Sequence, residues 1–188
     1  MKSPVSARSK IIRLTLTAMM IALFVVLSLV PSELSWASLV GLICAFLLGP
    51  VETLTVVVCG SFIEQMWYGL SWYSLLWMLP WVLFGLCCGF GAYMLRSFSK
   101  WKGMAFTVLV IVLSELLLNV ANTSVLCYMG YVMIDFSQAP HLVIWAYLLR
   151  MPHALIRSAL SSIAIPLLLP PLRRVLQKNM KGSETPSR

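Results

Sequence analysis

The sequence predicts an all-α integral membrane protein with six transmembrane helices and both termini in the cytoplasm. Of its 188 residues, 60% are hydrophobic and only 11% are charged, a composition typical of polytopic membrane proteins and not of soluble domains. The chain also divides into six apolar runs separated by polar or proline-containing breaks. Finally, twelve of its fourteen lysine and arginine residues lie in segments that six crossings would place on one side of a membrane.

The first three runs are defined by hydropathy and by the residues that end them. The first extends from Ile11 to Val30 and is followed by Pro31. The second, Trp36 to Leu48, is shorter than the roughly 20 residues that a span needs. We therefore interpret it as tilted, interfacial at one end, or extended into the preceding loop. Gly49-Pro50 closes it, and the third run continues from Val51 to about Gly69.

The last three runs extend from about Trp72 to Leu95, from Met104 to about Met129, and from near Pro152 to Leu172. The segment from Ile134 to Leu149 is too long for a simple loop. The sequence leaves open whether it forms an outer helix or extends the last span. The whole chain is predicted to be one membrane domain, with basic tails at residues 1–10 and 173–188 around the six-span bundle at residues 11–172.

Basic residues predict the orientation of these spans. They lie in the N-terminal segment, in the link between the fourth and fifth spans, and in the C-terminal segment: Lys2, Arg8, Lys10, Arg13, Arg96, Lys100, Lys102, Arg173, Arg174, Lys178, Lys181 and Arg188. Six spans place all of them in the cytoplasm, in agreement with the positive-inside rule. The net charge of +8 therefore reflects topology, and we expect no binding to nucleic acid. The first run is expected to be retained, because no clear cleavage site precedes Pro31.

The motifs that the sequence lacks argue against an enzyme or a metalloprotein. His141 and His153 are the only histidines, and the chain has no HExxH, GxSxG or Walker-type motif. Its five cysteines lie within apolar runs, without the CxxC or Cys/His spacing of a metal site. We therefore expect no catalytic residues, no metal and no cofactor. Active transport through this chain would need an ion gradient or a separate ATPase.

Two arginines, Arg150 and Arg157, lie apart from the basic segments, seven residues apart in the last apolar segment. An arginine without a partner in hydrocarbon costs at least a few kcal/mol, so it indicates a functional site. Further polar and aromatic residues are predicted at the same outer depth of the membrane, and with the two arginines they form a predicted ligand pocket: Glu64, Gln65, Trp67, Tyr68, Trp72, Trp77, Asn119, Asn122 and His153. Guanidinium groups bind carboxylates, aromatic rings stack on heteroaromatic rings, and carboxamides bind N–H and carbonyl groups. The pattern predicts a flat, partly anionic ligand.

Structural interpretations of the same residues stay open. Arg157 can form an ion pair with Glu64 or Glu115 inside the bundle. Arg150 can extend to the outer headgroups, and the tryptophans can form an interfacial belt. The sequence alone does not choose between these roles and ligand binding.

The first span presents a row of small side chains. Ala18 and Ala22 are four residues apart, so they lie on one helical face, with Thr15 about one turn earlier. Small residues at this spacing let a second helix approach closely. We predict that this face docks onto another membrane helix.

Together these features resemble a known family. The first span reads Leu14-Thr-Leu-Thr-Ala18-Met-Met-Ile-Ala22, and the short second span ends in Leu-Leu-Gly49-Pro50. Over about Arg13 to Leu176 the chain resembles the substrate-binding S-component of an energy-coupling factor (ECF) vitamin transporter. The resemblance implies a multi-pass protein of the bacterial plasma membrane that captures a small-molecule vitamin from outside. It also implies docking through Ala18 and Ala22 onto a transmembrane coupling subunit, powered by two cytoplasmic ATPase subunits.

Two segments resemble the folate-type group within that family. They are Glu115-Leu-Leu-Leu-Asn119-Val-Ala-Asn122-Thr123 in the fifth span and Leu149-Arg150-Met-Pro152-His-Ala-Leu-Ile-Arg157 at the start of the sixth. The resemblance implies a folate-like ligand as the first choice. The Trp-rich loop Trp67-Tyr-Gly-Leu-Ser-Trp-Tyr-Ser74 departs from the Gly/Pro/Phe-rich loop of that group, so a non-folate ligand stays an alternative.

Two alternatives come from other functional classes. A membrane scaffold of the rod-shape-determining MreD-like type has a related six-span layout, but it has no need for convergent arginines and aromatic residues. An autonomous ion-coupled transporter is disfavoured because the chain shows neither a duplicated half nor a pair of interrupted helices.

Overall fold

The computed structural model describes residues 4–30, 36–95, 100–134 and 140–181, and these residues form helices and short connections without a strand. Seven helices follow one another: α1 (Pro4–Leu29), α2 (Ala37–Leu47), α3 (Pro50–Tyr68), α4 (Trp72–Leu76), α5 (Met78–Met94), α6 (Lys100–Ile134) and α7 (Pro140–Lys181). The predicted all-α class is confirmed. Each of the six predicted runs corresponds to a helix, except that the fourth run is divided at Trp77 into α4 and α5.

Four helical stretches are long and apolar enough to cross a membrane. They are Lys10–Leu29, Ser74–Met94, Gly103–Gly130 and His141–Val175. Length and composition do not identify the remaining two runs as membrane spans. The apolar helix α2 has only 11 residues, and the 19-residue helix α3 includes two glutamates. A multi-pass membrane protein therefore follows from length and composition, whereas a count of six crossings stays a prediction.

The start of the last helix differs from the prediction. The sequence predicts a span that begins near Pro152, and this boundary is wrong because α7 already begins at Pro140 and continues through Pro152 to Lys181. Proline removes one backbone hydrogen bond and usually ends or bends a helix. In a membrane protein, neighbouring helices often satisfy the backbone groups that proline frees. Residues 140–149 thus belong to the last helix, and the predicted loop residues 135–139 lie outside the described part of the chain.

The core is built where α1, α3 and α5 approach one another closely. The ring of Phe24 on α1 meets Trp81 on α5 edge to face, with centroids 4.8 Å apart, and Trp81 meets Phe84 in the same way at 5.8 Å. Edge-to-face pairs add stabilisation beyond the area that they bury. Gly60 on α3 makes room for Phe24, since a Cβ atom at this position would lie 2.4 Å from Cδ1 of the ring. The remaining helices extend this core, with α6 packed between α5 and α7.

Two arginines from distant parts of the chain bind the C-terminal end of α2. Arg13 on α1 donates from Nη2 to the carbonyl oxygen of Leu48 at 2.9 Å, and Arg173 on α7 donates to that of Phe46 at 3.1 Å. Carbonyl groups at a helix C-terminus lack partners within the helix and carry partial negative charge, so cations stabilise them. Arg13 also forms an ion pair with Glu52 in the first turn of α3. The beginning and the end of the described chain therefore lie at the same end of the bundle.

Arg13→Ala is expected to lower the stability of the protein by about 1–2 kcal/mol, because it removes a charged hydrogen bond to a partly buried carbonyl and an ion pair that solvent partly screens. Thermal unfolding of the purified protein in detergent measures this loss. The matched control is Arg174→Ala, which removes an exposed arginine next to Arg173. Equal unfolding midpoints for the two variants would contradict a stabilising role of Arg13.

Candidate functional site

A pocket opens at the end of the bundle opposite to the bound C-terminus of α2. It has a volume of about 400 Å³, within the roughly 300–1,000 Å³ of small-molecule sites. Residues of α3, the following turn, the start of the fourth span and α6 line it: Glu64, Gln65, Tyr68, Gly69, Ser71, Ser74, Trp77 and Met129. We refer to this cavity as the outer pocket.

The turn after α3 shapes one wall of the outer pocket. Gly69 ends α3 with φ +97°, a backbone conformation that glycine adopts without strain. Ser71 and Ser74 then form a reciprocal capping box, in which each backbone N–H donates to the other side chain, at 3.2 and 3.0 Å. The Ser74 hydroxyl also donates to the Gly69 carbonyl at 2.9 Å. Both serine hydroxyls are therefore engaged in the turn, which leaves Glu64 and Gln65 as the main polar groups for a ligand.

Glu64 brings a half-buried carboxylate to this pocket. Its Oε2 atom is buried and has no hydrogen-bond partner. The Ser28 hydroxyl of α1 lies beside the carboxylate, but it donates to the carbonyl of Val25 at 2.9 Å. A buried acceptor without a donor is unfavourable until water or a ligand supplies one. Since Oε2 is buried, the other carboxylate oxygen of Glu64 is the one left to accept a hydrogen bond from a bound molecule.

A second polar group lies between α6 and α7. Arg157 Nε is 3.2 Å from Glu115 Oε2, and the side chains are 11% and 0% exposed, respectively. Ser38 on α2 lies beside the same carboxylate. Of the two ion-pair partners that the sequence leaves open for Arg157, the structure therefore brings it to Glu115 and not to Glu64.

Most of the unsatisfied buried polar atoms belong to this ion pair or lie on the same two helices, α6 and α7. In the described part of the chain these atoms are Glu64 Oε2, Ser114 Oγ, Glu115 Oε1 and Oε2, Asn119 Nδ2, Arg157 Nε and Ser162 Oγ. Arg157 and Glu115 are within ion-pair distance, but the Nε–H does not align for a hydrogen bond. The adjoining cleft, lined by Trp36, Ser38, Leu39, Arg157, Leu160, Ser161 and Ala164, has a volume of only about 30 Å³. This space holds water but not an organic ligand.

The outer pocket gathers only part of the predicted ligand site. Glu64, Gln65, Tyr68 and Trp77 line it together. Trp67 and Trp72 are 76% and 77% exposed and do not line it, as expected for an interfacial belt.

Four other predicted ligand residues line neither cavity. Asn119 is buried on α6 and Asn122 is half-buried on the same helix. On α7, Arg150 and His153 are half-buried, and His153 Nδ1 lies 3.1 Å from the Leu149 carbonyl oxygen. Contact of these four residues with a ligand stays a prediction.

The outward face of α1 carries the predicted docking residues. Ala18 and Ala22 are exposed, together with Thr15. Large apolar side chains flank them, including Leu14 and Met19, which are 72% and 63% exposed. The helix packs on α2 and α3 through its other face. We call the exposed row of Thr15, Ala18 and Ala22 the small-residue face.

The family model of the ECF-type riboflavin transporter, S component, matches residues 8–174. The chain belongs to this family. The match confirms the predicted S-component resemblance but not the folate-type subgroup, and it gives no support to a rod-shape-determining scaffold. It indicates a transport protein and not an enzyme. No curated protein matches the chain significantly.

Some residues that line the outer pocket of this S-component are not among the ligand residues predicted from the sequence. Ser71 and Ser74 have the Ser-x-x-Ser spacing of a reciprocal cap, which is a local signal that could have predicted the turn. Met129 has no such signal, because its place in the pocket depends on how α6 packs against its neighbours. Ser38 likewise approaches Glu115 only through the packing of α2 in the bundle.

Proposed function

We propose that this S-component captures riboflavin at the outer face of the membrane for import by an ECF transporter. The observation that carries the proposal is the chemistry of the outer pocket. A carboxylate, a carboxamide and aromatic rings line it, and its described lining includes no lysine or arginine. Riboflavin is uncharged, and its flat ring system can stack on Tyr68 and Trp77, while its ring N–H and side-chain hydroxyls match the acceptors of Glu64 and Gln65. The family's description as riboflavin transporters agrees with this fit.

Folate is the weaker candidate for the same pocket. Its two carboxylates would need cationic partners. Arg157 is already paired with Glu115 between α6 and α7, and Arg150 does not line the outer pocket. The resemblance of two sequence segments to the folate-type group is the remaining argument for it.

The proposed orientation has six crossings and both termini in the cytoplasm of a bacterial cell. Arg13 and Arg173 meet at one end of the bundle, which supports an even number of crossings. The positive-inside rule assigns this basic end to the cytoplasm. The outer pocket, at the opposite end, then opens toward the outside, where a vitamin would be captured.

The proposed partners are a transmembrane coupling subunit and two cytoplasmic ATPase subunits. The small-residue face of α1 is exposed along the span, and such faces allow close helix–helix contact in membranes. We propose that the coupling subunit docks there through Ala18 and Ala22. Since the chain has no nucleotide-binding motif, the energy for release of the vitamin would come from the ATPases.

The purified protein is expected to bind riboflavin and to quench its fluorescence, because Trp77 and Tyr68 line the proposed ring site. A titration with riboflavin measures the affinity, and a parallel calorimetric titration with folate provides the comparison. Binding of folate without binding of riboflavin would contradict the proposal and favour the folate-type interpretation.

A further inference from the structure

Glu64 is the one acidic residue in the described lining of the outer pocket. The hydroxyls of Ser71 and Ser74 are engaged in the capping box. Glu64 Oε2, in contrast, is buried without a partner. The neighbouring Ser28 hydroxyl is directed to the carbonyl of Val25. Because Oε2 is closed off from the pocket, the other carboxylate oxygen of Glu64 is the one left to meet a bound molecule.

The electrostatic setting of Glu64 amplifies the effect of its charge. Its carboxylate is paired with no described lysine or arginine, whereas Glu52 pairs with Arg13 and Glu115 pairs with Arg157. The lining of the pocket likewise contains no basic residue among those described. Charges in a partly buried, low-dielectric site interact more strongly than charges in water. An anionic group on a ligand would therefore meet repulsion that no cation in the described lining offsets.

We propose that Glu64 is the specificity-determining residue of the outer pocket. Its carboxylate accepts a hydrogen bond from an N–H or hydroxyl group of an uncharged ligand and repels ligands that carry a phosphate or a carboxylate. This inference rests on the proposed capture of riboflavin and adds the residue that selects the charge state of the ligand. It also predicts a preference of this chain for riboflavin over folate.

The test compares riboflavin with its 5′-phosphate, which shares the ring system and the hydroxylated chain but adds a charged group. Both ligands are titrated into the purified protein in detergent, and the ratio of the two dissociation constants is the readout. Wild type is expected to bind riboflavin at least about tenfold more tightly than the phosphate. Glu64→Gln keeps the shape of the side chain and removes its charge, so this ratio is expected to fall by about tenfold.

Two further variants keep the test valid even if Glu64→Gln does not fold. Gln65→Glu adds a carboxylate to the same wall and is expected to raise the ratio, the opposite of Glu64→Gln. Glu52→Gln is the matched control, because it makes the same chemical change at the far end of the bundle. It is expected to leave the ratio unchanged. Size-exclusion profiles establish whether each variant is folded. If Glu64→Gln does not fold, the affinity ratio of Gln65→Glu tests the proposal.

The outcomes separate this inference from the proposed function. Suppose that wild type binds riboflavin, and that the ratio of the two dissociation constants is unchanged in both Glu64→Gln and Gln65→Glu. This result would overturn the role of Glu64 and leave riboflavin capture intact. Equal wild-type affinity for riboflavin and its phosphate would overturn it as well. A wild-type protein that binds neither flavin would overturn the proposed function and the inference together.

Discussion

Ala18→Trp is expected to abolish riboflavin uptake by cells and to leave riboflavin binding by the isolated protein unchanged. Ala18 is exposed on α1, so the indole ring can be accommodated in the isolated protein without disturbing its core. Helices that meet through small residues depend on close backbone approach, which a tryptophan prevents. The described lining of the outer pocket comes from α3, the turn after it, α4, Trp77 and α6, and not from α1. Docking and binding should therefore respond separately to this substitution.

The measurement combines uptake of labelled riboflavin by cells with a fluorescence titration of the purified variant. Ile163→Trp is the matched control, because it places the same indole on an exposed position of α7, where 63% of the isoleucine surface is accessible. This control should transport normally. Ala22→Trp, one turn away on the small-residue face, should reproduce the loss. Normal uptake by Ala18→Trp at equal expression would contradict docking through this face.

The helical class and the positions of most helices could be predicted from the sequence because hydropathy acts locally. The boundary of α7 could not be predicted in this way. Pro152 is a strong signal for a helix end in water, but the helix runs from Pro140 across it. Whether neighbouring helices tolerate a proline depends on packing, and packing is not visible in a local pattern.

For the candidate site as well, the sequence predicted one feature and not another. It predicted how deep in the membrane a residue lies, but not which neighbouring helix its side chain faces. The sequence groups Glu64 and Gln65 with Trp77 by membrane depth, and the three residues line one pocket. Topology and helical rise determine how far along the bundle axis each residue lies. Membrane depth could not determine which side of a helix faces which neighbour. The sequence therefore left Glu64 and Glu115 as possible ion-pair partners of Arg157. In the structure, the packing of α6 against α7 brings Arg157 to Glu115.

Arg13 illustrates a contact that no local pattern could predict. In the sequence it is one of several basic residues that predict which ends of the spans face the cytoplasm. In the structure it binds the carbonyl of Leu48, 35 residues away. Contacts of this kind depend on how the ends of separate helices meet, so the sequence predicted the side of the membrane but not the bond.

Arg157→Ala is expected to destabilise the protein by about 3–5 kcal/mol, because it leaves a buried carboxylate without its cation. The Glu115 side chain is fully buried, and the Ser38 hydroxyl beside its carboxylate is neutral, so it cannot replace the lost cation. Unfolding in detergent, followed by heat or denaturant, measures the loss. Arg150→Ala is the matched control, since it removes an arginine from the same helix about 10 Å away along the axis.

The double variant Arg157→Ala with Glu115→Ala tests the cause of this loss. Removing both charges leaves no unpaired ion, so the double variant should be more stable than Arg157→Ala alone, and the departure from additivity measures the coupling between the two residues. A double variant that is no more stable than the single one would contradict the ion-pair explanation.

Riboflavin affinity of the same double variant separates a structural role of Arg157 from ligand contact. Arg157 lines the small cleft beside α2 and not the outer pocket, so the affinity should stay close to that of wild type once the bundle is stable. A loss of more than about tenfold, the effect of removing one charge-assisted contact of roughly 1.5–3 kcal/mol, would instead place Arg157 at the ligand. The ion pair would then serve to hold the guanidinium in position for that contact, and the buried Glu115 would act on binding only through Arg157.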